Sequence, residues 1–224
     1  MDCQNAVSFS PIAPRLSPEE TANSLTHGFG LALSLVASAV LIRACELRGE
    51  AWITISCALY ACTLVAVYTA STLSHAVISP RWRRRLRSLD QGFIYLLIVG
   101  SFTPFALKYL YGVEWSILLG VMWGVALAGC LSKVLRWHRV DGISTVTYLL
   151  LGWMPVTAVK PLFENVPAAA LVWVFAGGLC YTIGTWFLMH DHHKPWYHAV
   201  WHTLVIAGTA CHYAVILNYV VLAA

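Results

Sequence analysis

The sequence predicts an all-α integral membrane protein, a bundle of seven transmembrane helices with its N-terminus inside. Three observations carry that reading. Of the 224 residues 59% are hydrophobic and only 11% charged, with mean hydropathy +0.69, whereas a soluble domain carries about 25% charged residues. Seven apolar runs follow one another, each close to the roughly 20 residues that a helix needs to cross the hydrocarbon core. The runs are continuous. A barrel would show alternating stretches of about ten residues instead, and helices and closed barrels are the structures that satisfy their backbone polar groups in lipid.

In order, residues 1–21 form a short cytoplasmic tail and residues 22–224 the seven-helix domain. The tail contains Pro11, Pro14 and Pro18 and no basic stretch before the first apolar run, which argues against a cleaved signal peptide. The runs span Ala22 to Ile42, Ala51 to Val77, Leu89 to Leu107, Trp115 to Leu135, Ile143 to Val159, Ala168 to Met189, and Tyr197 to Leu222. Trp52, Trp115 and Trp196 near their ends fit interfacial anchors. The seven cysteines include no Cys-x-x-Cys pair and make no disulfide framework of odd number.

Alternating helices place ten of the fourteen basic residues on one side: Arg15, the cluster Arg81, Arg83, Arg84, Arg85 and Arg87, then Lys133, Arg136, Arg139 and Lys194. Arg43, Arg48, Lys108 and Lys160 fall on the other. Positive residues stay in the cytoplasm, so the N-terminus points inward and the C-terminus outward. The arginine cluster is read as a topology anchor that also attracts anionic headgroups, not as a nucleic-acid surface.

This topology brings four ill-fitting residues to one depth. His75 ends the second run, Asp90 begins the third, and His198 and His202 begin the seventh, with Asn23 and His27 of the first run at the same level. Ionisable groups within membrane helices are costly and mark function. His198 and His202, at i and i+4, share a helix face; with a third histidine from another helix they form a three-imidazole zinc site that keeps one position open for water. Each residue also has a plainer reading. His75 alone can bond a neighbouring carbonyl. Ser71, one turn deeper on the face of His75, can reach a metal-bound water, contact substrate, or bond back to its own helix. Asp90 either orients and deprotonates that water or forms a surface ion pair with Arg87, one turn earlier. His212, ten residues beyond His202, lies about 15 Å deeper and reads as an interhelical hydrogen-bonding residue. The stretch His190-Asp-His-His193 reads as a soluble hinge before Pro195, and His138 as interfacial charge.

The ordered set Glu19-Glu20-x-x-Asn23-x-x-x-His27-Gly28, Ser71-x-x-x-His75, Leu89-Asp90, Ser101-x-Thr-Pro104-Phe105, Gly177-Gly178 and His198-x-x-x-His202 resembles the hemolysin III branch of the progestin and adipoQ receptor (PAQR) family, bacterial type. The likeness covers essentially the whole chain. It implies a seven-helix bundle with inward N-terminus, an intramembrane zinc held by His75, His198 and His202, and Asp90 beside the metal-bound water. Alkaline ceramidases share this arrangement and hydrolyse lipid amides. Gln91 departs from the bacterial pattern, which has histidine there.

The resulting expectation is a zinc-dependent hydrolase of a lipid amide or ester, with Asp90 and Ser71 catalytic, membrane lipids as partners and the bacterial cytoplasmic membrane as location. A non-enzymatic regulator of membrane lipid state with structural zinc is the alternative. Lytic activity, implied by the family's name, fits less well, because the helices carry no amphipathic pore stripe.

Overall fold

The computed structural model describes residues 16–136 and 142–223. Arg15 and Arg139, assigned above to the cytoplasmic side, and His138, read as interfacial charge, lie outside them. The described elements are helical: α1 (Pro18–Arg48), α2 (Ala51–Ala76), α3 (Pro80–Tyr109), α4 (Val113–Arg136), α5 (Gly142–Trp153), α6 (Val159–Asn165), α7 (Ala168–Met189) and α8 (Tyr197–Val215). Seven stretches among them are long and apolar enough to cross a membrane, the fifth being Ser144–Asn165, built from α5, a 3-10 turn at Met154–Ala158 and α6. The seven-helix architecture expected from the hydropathy pattern is present, and the chain is an integral membrane protein.

Several boundaries differ from those expected, each for a local reason. α1 begins at Pro18, inside the stretch read as tail, because Ser17 caps it: the Ser17 hydroxyl accepts from the Glu20 N–H at 3.2 Å and Pro18 occupies the first turn, where its missing N–H costs nothing. The arginine cluster is not a loop. It forms the first turns of α3, again entered through a proline, Pro80, so Asp90 sits in a helix interior rather than at a helix start. The fifth span breaks at Pro155, which has no N–H for an α-helical ladder. α1 ends on Gly49, held at φ +79, a left-handed conformation that glycine adopts without a Cβ clash.

α2 is a central element of the bundle, with Tyr60, Leu64, Val67 and Tyr68 all buried. α1 presents Leu25, Phe29 and Val36 outward, where lipid tails cover them at no cost. Water supplies no drive for helices to associate in lipid, so packing and interhelical hydrogen bonds take its place. Tyr68 Oη donates to Thr209 Oγ1 at 3.1 Å and Tyr213 Oη to the Ala37 carbonyl at 2.9 Å, bonds that contribute about 0.6 kcal/mol each on average.

At the end of the bundle where α1 and α3 finish, two cations close the chain. The Arg48 guanidinium donates to the carbonyls of Val221, at 2.6 Å, and Ala223, and Lys108 Nζ reaches those of Val220 and Ala223 at 3.2 Å each. These carbonyls belong to a π-helical turn at Ile216–Val221 and the residues after it, where the helix leaves acceptors unpaired. Between the helices lies a cavity of about 850 Å³, running from Glu20 and Asp191 at the opposite end to Leu162 and Leu171.

Candidate metal centre

Two helices, α2 and α8, bring His75, His198 and His202 together. One ring nitrogen from each lies within 4.8 Å of the others, and the ring centroids form a triangle with sides of 5.1, 5.1 and 4.6 Å. His75 stands in the last turn of α2; His198 and His202 occupy successive turns at the start of α8. This is the shared depth expected from the topology.

The second nitrogen of each ring identifies the tautomer. His75 Nδ1 meets Glu20 Oε2 at 2.6 Å, His198 Nδ1 meets Asp191 Oδ2 at 2.9 Å, and His202 Nδ1 meets the Asn23 carbonyl and Thr26 Oγ1 at 3.2 Å each. Carboxylates and carbonyls accept, so each Nδ1 carries the proton and donates. Each Nε2 is then a lone-pair donor to an ion. This is the pattern by which outer groups orient imidazoles toward a metal. Nitrogens around a tetrahedral zinc sit about 3.4 Å apart, so closing the trio takes a movement on the order of 1 Å, within the range of side-chain torsions. The donor set fits a metal ion, and these three histidines could hold one.

Glu20 also binds Arg87, Oε1 to Nη2, at 2.7 Å, with Arg83 at 3.8 Å. Its place in α1 is telling. Three residues after the capping Ser17, a glutamate ordinarily turns back to the cap's own N–H; here both carboxylate oxygens are directed across the bundle. Arg87 thus pairs with Glu20 across the bundle, and among the described residues no ion pair forms between Arg87 and Asp90.

Asp90 and Ser71 both line the cavity beside the trio. Ser71, His198 and Arg87 lie near enough to Asp90 to act on its carboxyl electrostatically. Ser71 is buried, and its Oγ lies 2.6 Å from His27 Nδ1. His27 in turn stacks on His202, with centroids 3.5 Å apart and planes inclined by 17°. His27 Nε2 is buried without a partner. An unpaired lone pair costs less than an unpaired N–H, so the proton belongs on Nδ1 and goes to Ser71 Oγ. Ser71 is then free to donate its own proton toward Asp90. Of the expected residues, all five, His75, Asp90, His198, His202 and Ser71, meet at one site.

Two supports escaped the sequence reading. Glu20 enters the sequence reading only as part of a motif, although its position in a capping box is a visible signal. Asp191 sits in the stretch His190-Asp-His-His193, which the sequence presents as a soluble hinge; among the described residues its histidines join no metal-ligand group, yet its aspartate holds His198. His212 behaves as expected, donating from Nε2 to the Val174 carbonyl of α7 at 3.2 Å.

Residues 17–213 match the model of the Haemolysin-III related family. The chain is 36% identical to a protein named Hemolysin-3 homolog from Bacillus subtilis, over 91% of this chain and 95% of that one. It is 35% identical to Hemolysin-3 of Bacillus cereus, over 90% and 92%. A human protein, Monocyte to macrophage differentiation factor, matches at 29% over 90% of this chain and 84% of its own length. Near-complete coverage on both sides leaves one conclusion: the chain belongs to the haemolysin-III-related family, the hemolysin III branch of the PAQR proteins.

Proposed function

We propose that this protein is a zinc-dependent hydrolase acting on a lipid amide or ester within the bacterial cytoplasmic membrane, with its N-terminus and arginine cluster on the cytoplasmic side. The observation that carries the reading is that each histidine of the trio pairs its Nδ1 with an acceptor, which leaves its Nε2 lone pair for an ion, while the three rings converge at the wall of a lipid-sized cavity. A structural clamp joining helices has no need of that adjoining space; an enzyme does.

Zinc bound there would polarise a carbonyl and lower the pKa of water toward about 7. His75, His198 and His202 supply the ligand lone pairs, while Glu20 and Asp191 hold two of the rings in place. Asp90 takes the proton from the attacking water at a carboxylate oxygen and passes it to the departing amine or alkoxide. Ser71, fixed by His27, directs its hydroxyl proton at the Asp90 carboxylate and keeps it oriented. Asp90 stands at the start of the apolar part of α3, where a carboxylate has no packing role and needs a partner. Acyl chains of membrane lipids occupy the apolar length of the cavity.

The test is release of fatty acid from a panel of lipid amides and esters by purified protein. Wild type should turn over at least one class with zinc present, and Asp90→Asn should lose that turnover by a factor of at least about 100 while retaining its zinc. Equal rates in the two proteins would reject the role given to Asp90. Failure of wild type on every lipid would leave a metal-stabilised regulator of membrane lipid state as the reading. The relatives' names attach hemolysis to those proteins; nothing in the cavity or the helix faces described here favours pore formation.

A further inference from the structure

Deep in the same cavity, far from the histidine trio, stands a second group of polar atoms that the hydrolytic reading does not use. His212 lies ten residues beyond His202 on α8, about 15 Å along the axis, and Ser101 lies eleven residues beyond Asp90 on α3, about 16 Å. Both line the cavity, so walls from two helices carry a polar side chain at one depth; Tyr181 and Thr182 of α7 line it as well, but their hydroxyls are engaged with Thr209 and the Gly178 carbonyl. Neither His212 nor Ser101 is there by default.

The His212 ring is seated deliberately. A Cβ at Gly177 would lie 2.4 Å from His212 Cδ2 and 2.6 Å from Nε2, so glycine at that position lets this edge of the ring press against α7. There Nε2 donates to the Val174 carbonyl, which can only accept. The proton is therefore on Nε2, and Nδ1, on the opposite side of the ring, is an acceptor with no protein partner among the described residues. Ser101 donates its hydroxyl proton to the Ile98 carbonyl at 3.0 Å, which leaves its oxygen also as an acceptor.

We propose that this belt is a second recognition point, and that the cavity takes a lipid whose chain carries a hydroxyl about 15 Å from the group held at the histidine trio. The reading rests on the proposed binding of lipid in this cavity. It sharpens the ligand's chemistry in two ways. The distance corresponds to roughly a dozen methylene groups. The sign of the hydrogen bonding is also set, since two acceptors welcome a hydroxyl proton and offer nothing to a ketone or ester carbonyl.

Binding by native mass spectrometry of the detergent-solubilised, zinc-loaded protein provides the test, independent of turnover. Four acids are compared: unsubstituted hexadecanoic acid, the acid hydroxylated about twelve carbons from the carboxyl, its keto counterpart, and the isomer hydroxylated next to the carboxyl. The distal hydroxy acid should bind about tenfold tighter than the other three, the weight of one good hydrogen bond in a dry site. His212→Phe and the milder Ser101→Ala should each reduce that preference while hexadecanoic acid binds no worse. Affinities within twofold of one another for all four acids, as expected if a resident water alone satisfies His212, would overturn the proposal. So would a preference unaltered in both variants. The two readings fail separately: a distal-hydroxyl preference without hydrolysis of any lipid removes the enzyme and keeps the belt, and hydrolysis without the preference does the reverse.

Discussion

The two ends of the bundle treat their charged groups in opposite ways. Where α1 and α3 finish, Arg48 and Lys108 spend their donors on the carbonyls of Val220, Val221 and Ala223, so cations are matched to the unpaired acceptors of a helix end. At the other end, each acceptor is matched to only half of its partner. Glu20 takes the Nδ1 proton of His75 and Asp191 that of His198, and the Nε2 lone pairs remain. Polar groups collect at both ends. Only one end leaves bonding capacity directed at a common point, and that remainder, rather than the concentration of polarity, marks the functional site.

The largest effect expected from breaking this asymmetry is loss of the metal. Replacing His75, His198 and His202 together by alanine removes all three lone pairs, and purified protein should carry less than about a tenth of the zinc of wild type by elemental analysis. Retention of the wild-type stoichiometry would show that the ion sits elsewhere. Next in size is Glu20→Gln. The amide oxygen can still accept from His75, but the negative charge that raises the ring's basicity is gone, as is the partner of Arg87. Zinc affinity measured by competition with a chelator should fall by about 10–100-fold, and an unchanged affinity would reduce Glu20 to a helix cap.

The opposite end should respond in stability and not in metal. Arg48→Met keeps the apolar stem and removes the donors to the Val221 and Ala223 carbonyls; loss of hydrogen bonds from a charged group costs about 1.5–3 kcal/mol. The thermal midpoint in detergent should drop while chelator competition gives the wild-type zinc affinity. A fall in both would mean that the two ends are coupled through α1.

Much of this contrast was legible in the sequence, and what was missed has a physical pattern. The seven spans follow from run length, and the convergence of His75, Asp90, His198 and His202 follows from alternating helix direction with a fixed rise per residue. Both depend on distances along one helix. Glu20 and Asp191 act between elements, and their partners depend on how α1 rotates against α2 and how the turn after α7 folds back on α8; spacing does not encode either. The arginine cluster misled for a different reason. Hydropathy excludes charged residues from a span, whereas Pro80 at a first turn marks them as helical. Pro155 was likewise readable as a break in the fifth span, yet the apolar run around it conceals the interruption.

Asp191→Asn should give the smallest effect, and its size distinguishes two accounts of the site. Asp191 is 36% exposed, against 18% for Glu20, and it belongs to a one-turn 3-10 segment rather than to a long helix. Water competes for its carboxylate, and exposed ion pairs contribute about 0–1 kcal/mol. His198 is also held by its place in α8, so asparagine, which still accepts from Nδ1, leaves the ring near its orientation. Zinc affinity should therefore fall by only about two- to fivefold in the competition assay that reports on Glu20→Gln. A loss as large as that from Glu20→Gln would mean that the hinge is ordered against the trio and that both carboxylates fix the ligands equally. An effect below twofold would place the orientation of His198 in α8 alone.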